Sequence, residues 1–350
     1  MQPVAGDIAA GEPRATSLRR GQEHCPVCDG SRFTAVRPAF DDRYGHPGRF
    51  HIARCDACGH LITEPRLAEA DMAQLYGSYY PRRQLVAAEL AAQARGAGSR
   101  WRALGRWFWG TDNQGQYGAR RGERMLDVGC GAGVSLLEAA ELGAEAYGIE
   151  ADPNVERIAR ELGLRIHQGS LQDEPFAGVA FDLIVLNQVI EHIPEPDKAL
   201  IRLKSRLTPQ GRIVLVFPNT RSLWCRLAGA RWINWHIPYH LHHFDAVSFR
   251  RMAERCGYGV VRIRTITPNL WTVLQVRAMR GTPVPGEANP LWGGGEEAEP
   301  GQQPLAGRGQ PAKRLALAIV MTALSAVNRC IDAAGAGDSL LVEIRADGRR

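Results

Sequence analysis

The sequence predicts an α/β protein whose parallel sheet is covered on both faces, preceded by a small N-terminal four-cysteine zinc ribbon. From Gly122 onward, short apolar runs alternate with amphipathic segments of helix length, the pattern of a sheet with helices on each side. The first run, Met125-Leu-Asp-Val128, leads through Gly129, Gly131 and Gly133 into a helix start. Glycines at such a strand-to-helix turn let a ligand lie against bare backbone. Ahead of this unit, Cys25-Pro-Val-Cys28 and Cys55-Asp-Ala-Cys58 each carry the two-residue spacing of a zinc knuckle.

At 350 residues with 45% hydrophobic content, the chain can hold one large domain and one small one. Its formal charge of +6 and pI near 9.0 permit contact with phosphates or anionic lipid without demanding nucleic acid. Arg82-Arg83 and Arg120-Arg121 read as solvated surface. Residues 1–20 mix Pro, Gly, Glu and Arg with no apolar core, so they read as a disordered tail and not as a secretory signal. The apolar run Leu315 to Val327 is broken by Thr322 and Ser325 and reads as too short to span a bilayer. A cytoplasmic protein is expected, with a peripheral position at the inner membrane face left open.

The ribbon is expected over 21–65. Ser31 to Arg54 reads as two strands, Arg32–Arg37 and Arg49–Ala53, joined by a polar turn. Cys25, Cys28, Cys55 and Cys58 form a full tetrahedral ligand set, hence a structural site. Disulfides are the alternative, disfavoured in a reducing compartment; a redox pair would need one such motif and not two. His24, His51 and His60 lie close enough in sequence to substitute as ligands.

A helical connector or lid follows over 66–118, with a short helix in 71–80, an Ala-rich helix at Arg82–Arg95 and a helix at Arg100–Trp109. The last sets Trp101, Leu104 and Phe108 on one face and Arg102 and Arg106 on another, which suits either a packed lid or an interfacial membrane helix. The core is expected over 119–280. It has strands Arg124–Val128, Ala146–Ile149, Arg165–Gln168, Phe181–Leu186, Arg212–Phe217 and Gly259–Thr267. Its helices are Val134–Leu142, Asn154–Leu162, Asp197–Leu207 and Ala246–Cys256. Residues 281–311, rich in Gly, Pro and Glu, read as a disordered loop. The segment 312–350 contributes an apolar helix, Ala312–Ala334, and a last strand, Ser339–Arg345.

The strand Ala146-Tyr-Gly-Ile-Glu150 ends in a carboxylate about twenty residues after the glycine loop, where an acid can take both hydroxyls of a ribose. A nucleoside-containing small molecule is therefore the expected ligand. With Leu126-Asp-Val-Gly-Cys-Gly-Ala-Gly133, Gly148-Ile-Glu150 and Phe181-Asp-Leu-Ile184 in order, the chain resembles the class I S-adenosylmethionine-dependent methyltransferases. Asn187-Gln-Val-Ile-Glu-His192, Leu207-Thr-Pro-Gln-Gly211 and Phe217-Pro-Asn219 extend the likeness. A nicotinamide-dependent oxidoreductase fits less well, because the loop is Gly-x-Gly-x-Gly.

The resemblance implies a Rossmann-like seven-stranded sheet whose last strand is antiparallel and inserts between the fifth and sixth. It implies that Asp127, Gly129, Cys130, Gly131 and Gly133 cradle the amino-acid part of S-adenosyl-L-methionine and that Glu150 holds the ribose. Ala151 and Asp152 would lie beside the adenine. So would Ser170 and Leu171, where serine replaces the family's usual Asp. Asn187 and Gln188 would flank the transferring methyl. His192 is a candidate general base, against a packing histidine at a helix entry. His240 and His243, in Trp235-His-Ile-Pro-Tyr-His240-Leu-His-His-Phe244, are candidate substrate contacts, against packing histidines. A metal site among these histidines is not expected, because Pro238 interrupts the helix that would align His236 with His240.

A zinc ribbon ahead of such a core resembles bacterial methyltransferases acting on sugars, although the further C-terminal domain of the sugar C-methyltransferases has no counterpart here. The expected activity is O- or C-methylation of a sugar, nucleotide-sugar, lipid-linked glycan or related small molecule. The alternatives are a ribosomal RNA methyltransferase and a non-catalytic, cofactor-bound scaffold that recruits partners through the ribbon. The ribbon's Arg32, Arg37, Arg43, Arg49 and Arg54 are offset by Asp29, Asp41, Asp42 and Asp56, so a nucleic-acid partner is disfavoured.

Overall fold

The computed structural model describes residues 24–67, 75–76, 78–79, 86–110, 118–292 and 311–347. The tail at 1–20, most of the helix read at 71–80, the start of that read at Arg82–Arg95, and 293–310 lie outside the described residues.

The N-terminal unit has three strands, β1 (Phe33–Phe40), β2 (Arg49–Cys55) and β3 (Leu61–Glu64); β3 was not foreseen. The connector supplies α1 (Ala87–Ala94) and α2 (Arg100–Trp109). The core then alternates β4 (Arg124–Val128), α3 (Val134–Glu141), β5 (Glu145–Glu150), α4 (Val155–Leu162), β6 (Arg165–Gln168) and β7 (Phe181–Asn187). It continues with α5 (Pro196–Lys204), β8 (Leu207–Pro218), α6 (Leu223–Ala228), β9 (His242–His243) and α7 (Ala246–Arg255). β10 (Tyr258–Ile266), α8 (Asn269–Ala278), α9 (Pro311–Ala333) and β11 (Ser339–Ala346) complete it.

The core sheet has seven strands in the order β10-β11-β8-β7-β4-β5-β6. Pairing is parallel from β8 across to β6, while β11 is antiparallel to both β8 and β10. This is the Rossmann-like methyltransferase topology that the motifs implied. β7 shows why both faces must be covered. Side chains alternate across a strand, and Ile184 and Leu186 enter one apolar cluster while Leu183 and Val185 enter another. All four are fully buried, each contributing about 1.5–3 kcal/mol of transfer free energy.

The ribbon is not a separate module. β3 pairs antiparallel with β9 from the core, so one sheet of four strands, β1-β2-β3-β9, crosses the expected domain boundary. Thr63 is the centre of this seam: its N–H donates to Leu241 O at 3.0 Å and its hydroxyl to His240 O at 2.6 Å. Arg66 adds bonds to Pro194 O at 2.6 Å and His242 Nε2 at 2.8 Å.

Two sequence readings change. Residues 284–292 are ordered against the ribbon: Tyr44 bridges Ala288, Asn289 N–H donates to Arg43 O at 2.8 Å, and the Arg43 guanidinium stacks 4.0 Å over Trp292. Composition alone made this stretch look structureless, but backbone pairing and cation–π stacking hold it. The second is α8, missed because Asn269, Thr272 and Gln275 break the apolar pattern; those polar residues are the buried ones.

Thr63→Ala should lower unfolding stability by about 1–3 kcal/mol, because it removes the buried hydroxyl that bonds His240 O; denaturant titration reads this directly.

Candidate active site

β4 lies between β5 and β7, the place where successive connections turn to opposite sides and leave a crevice at the strand ends. The chain leaves β4 through Gly129, Gly131 and Gly133, all left-handed at φ +71°, +52° and +77°. A Cβ on Gly129 would lie 2.5 Å from Val189 and one on Gly133 would lie 2.6 Å from Leu164, whereas one on Gly131 would meet nothing within 4 Å. The loop is therefore packed from below and open above Gly131.

Beside it lies a cavity of about 130 Å³, lined by Asp127, the 129–132 loop, Ser135 and Asn187. It has room for the amino-acid end of a nucleoside cofactor. Asp127 is buried; its Oδ2 accepts from the Ser135 hydroxyl and its Oδ1 has no partner. Burial pushes its carboxyl up to about 7, the Ser135 bond opposes this, and nearby Glu150 adds to it. An orphaned carboxylate oxygen beside a cavity fits an ammonium group. Cys130 contributes backbone only. Its sulfur packs on Gly148, where any Cβ would sit 2.6 Å from it, and burial raises its thiol.

Glu150 closes the far side of the loop. Its two oxygens accept from Gly131 N at 2.7 Å and Asp152 N at 3.0 Å, and each retains a lone pair for a hydroxyl. Pairing of Glu150 with Gln168 brings Ala151 and Asp152 next to Ser170 and Leu171. Asp173 stands beside Ser170, accepting from Ser170 N at 2.7 Å and meeting His167 at 3.0 Å. Asp173 was not singled out from the sequence. At the end of β7, Asn187 Oδ1 and Gln188 Nε2 are buried without partners.

His192 follows on the same side. Its Nδ1 is 2.9 Å from Tyr239 O, which requires an N–H there and leaves Nε2 as the acceptor of the neutral ring. Tyr76 OH also approaches Nδ1, at 3.2 Å. Burial holds the imidazole down at about 4, so it is neutral at physiological pH.

His240 and His243 are brought near, in different ways. His240 packs 4.7 Å from His192, ring to ring, and its Nδ1 bonds Asn234 O at 2.9 Å. Its Nε2 meets His236 Nδ1 at 3.3 Å. Pro238 therefore does not keep these two histidines apart, because His236 in the left-handed region (φ +41°) turns the chain where a helix would have ended. Ligand atoms of Glu191, His192 and His240 lie within 4.8 Å of one another. His243 sits instead in the ribbon seam, 2.9 Å from the Thr63 hydroxyl and edge-on to Trp235. Its Thr63 partner and burial fit the packing alternative.

Glu191 was overlooked as scaffold. It is 1% exposed, both carboxylate oxygens lack hydrogen-bond partners, and burial pushes it up to about 8.

At the other end, the four cysteine sulfurs lie within 4.8 Å of one another, with Cys25 to Cys58 and Cys28 to Cys55 both at 3.6 Å. A tetrahedral site with Zn–S near 2.3 Å demands sulfur separations of about 3.8 Å, so the cluster fits a metal ion and not a disulfide. The two turns match: Asp29 and Gly59 are both left-handed, at φ +65° and +78°. His60 is not a spare ligand, since its Nε2 meets His242 Nδ1 at 3.2 Å. His24 and His51 point to Asp29 and Glu64.

Residues 100–263 match the family model described as a methyltransferase domain. The chain carries a class I, S-adenosylmethionine-dependent methyltransferase domain. It is 32% identical over 133 residues to the ubiquinone biosynthesis O-methyltransferase of Cereibacter sphaeroides, covering 36% of this chain and 54% of that one. It is 31% identical over 146 residues to the enzyme of the same name from Xanthomonas euvesicatoria pv. vesicatoria, covering 39% and 60%. The chain thus spans little more than half the length of these curated relatives. A solved TehB-like S-adenosylmethionine-dependent methyltransferase from Corynebacterium glutamicum aligns at 24% identity and TM-score 0.34, covering 52% of this chain and 89% of that one.

Glu191 makes the methyltransferase domain pH-sensitive in a defined direction. Its carboxyl lies at 4.5 when unfolded and about 8 when folded. Its contribution is therefore fully present below 4.5 and is lost as pH rises through 8. Glu191→Gln should flatten the fall in melting temperature between pH 5 and 8, as followed by thermal unfolding.

Proposed function

We propose that this protein transfers the methyl group of S-adenosylmethionine to a hydroxyl of a small-molecule acceptor. The observation that carries it is His192: its Nδ1–H is committed to Tyr239 O, which leaves Nε2 as a proton acceptor just beyond the end of β7.

S-adenosylmethionine would supply an activated methyl on a sulfonium, so the protein has mainly to align, exclude water and take a proton. Asp127 Oδ1 would hold the ammonium, the 129–132 backbone the amino-acid chain, and Glu150 the ribose. Asn187 and Gln188 would border the methyl. As the acceptor oxygen bonds to the methyl carbon, the methyl–sulfur bond would break to leave a neutral thioether, and the acceptor's proton would pass to His192 Nε2. His240 would keep the His192 ring edge-on, making it a positioning residue.

For the acceptor, a sugar or glycan hydroxyl is the reading that the ribbon and core together support. The relatives named for O-methylation in ubiquinone biosynthesis favour a second reading, a ring hydroxyl on a quinone precursor. Tyr76, Tyr239 and Tyr44 pack edge-to-face beside His192, with centroids 5.4 Å apart in each pair; such a wall suits either a sugar face or an aromatic ring. Cys25, Cys28, Cys55 and Cys58 would hold a structural Zn²⁺ whose role is to keep β3 in register with β9.

Glu150→Ala and Asp127→Asn should each weaken binding of S-adenosylmethionine at least about tenfold by calorimetry, the loss of a charge-assisted contact. His192→Ala should leave that binding intact and lower kcat by roughly 10²–10⁴. Labelled cofactor incubated with sugar, glycolipid, phenolic and RNA fractions identifies the acceptor. Binding without transfer to any fraction would favour the scaffold alternative and overturn the enzyme reading.

Zinc analysis should find one ion per chain, with Cys28→Ser losing it; metal-free protein with an unchanged melting temperature would rule out the structural ion.

A further inference from the structure

The two halves of α9 have opposite surroundings. Its C-terminal half is pinned to the core by polar bonds. Asn269 donates to the Ser325 hydroxyl at 2.7 Å, Asn328 donates to Asn269 Oδ1 at 2.8 Å, and Asn328 meets Thr272 at 3.1 Å. Arg329 reaches Trp107 O and Thr267 O, and Asp332 accepts from Thr267 N–H and hydroxyl. Buried amide and hydroxyl groups bonded this way fix the helix rigidly.

The other half is exposed from Leu315 onward among the described residues. Leu315, Leu317, Ile319 and Val320 are 50–64% exposed. At 100° per residue they point around more than half of the helix circumference. α2, packed against α9, exposes Trp101 at 83% together with Leu104, Trp107 and Trp109, and α8 exposes Leu270. A protein partner covers one stripe of a helix; hydrocarbon covers it from every side.

Charge indicates which lipid. α2 contains no acidic residue and carries Arg100 and Arg102, while its Arg106 is paired with Glu138; Arg277 and exposed Arg280 lie at the far end of α8. The acid of α9, Asp332, is paired with Arg329 at 2.9 Å. The sequence also places Lys313 and Arg314 just ahead of Leu315.

We propose that the projecting half of α9, together with the tryptophans and arginines of α2, docks on an anionic bilayer surface. The helix is long and apolar enough to cross a membrane, but the polar pins from Ser325 onward keep its second half with the folded core. Only Leu315–Met321 is free to enter, a length of about 10 Å, which matches the depth of an interfacial insertion. Tryptophan and arginine beside it suit the headgroup level.

Co-sedimentation of the full chain with vesicles tests this. The protein should pellet with vesicles of phosphatidylglycerol and phosphatidylcholine, much less with phosphatidylcholine alone, and the bound fraction should fall as salt rises. The double variant Leu317→Asp, Ile319→Asp should lose partitioning at least about tenfold, with the melting temperature and S-adenosylmethionine affinity unchanged. The proposal is overturned if the wild type stays in solution with both vesicles, or if the variant binds as well as the wild type. A variant that melts far lower would show that another part of the chain covers the face. A wild-type dimer that the variant dissolves would show that a second copy does. Either result replaces the membrane.

Discussion

Strand order reverses at β4, and the rest of the site depends on that constraint. Connections from β4 through β6 run to one side and those from β7 onward to the other, which leaves a crevice at the ends of β4 and β7. Into this gap the sheet delivers Asp127 from β4, Glu150 from β5 and Asn187 from β7, three strands whose order places them side by side. The parallel sheet, buried on both faces, holds their backbones in register. The glycine loop lets them face a ligand with no side chain between.

Around that gap the protein buries polar groups at some energetic cost. Asp127 and Glu191 are carboxyls pushed toward and above neutrality, and His192, His236, His240 and His243 are kept neutral. Burial is the first cause in each case. Neutral imidazoles can pack against one another where cationic ones would repel. The same burial therefore keeps His192 neutral.

The ribbon braces this histidine segment from outside. β3 pairs with β9, and Thr63 holds the carbonyls of His240 and Leu241. In turn the Leu241 amide bonds the Glu191 carbonyl at 2.8 Å. A hydrogen-bonded path thus runs from the cysteine turns to the residue beside His192. The ribbon is thus packed against the segment that carries His240.

Much was legible in the chain itself, because local geometry needs particular residues. The glycine turn, the carboxylate ending β5, the paired cysteine knuckles and the apolar runs of β4, β7 and β8 each announce themselves over a few positions. Long-range pairing was not legible. Nothing local tells that His242 and His243 form a strand against the ribbon or that residues 284–292 lie on it. Nor does periodicity distinguish the pinned half of α9 from its bare half, since both are apolar helix. Sequence alone determined the parallel core strands, the helices between them and the ligand turn, whose causes act between neighbours in the chain. The tertiary structure alone decided which histidines pack together and which apolar surface stays exposed, because burial and partnering depend on residues far away along the chain.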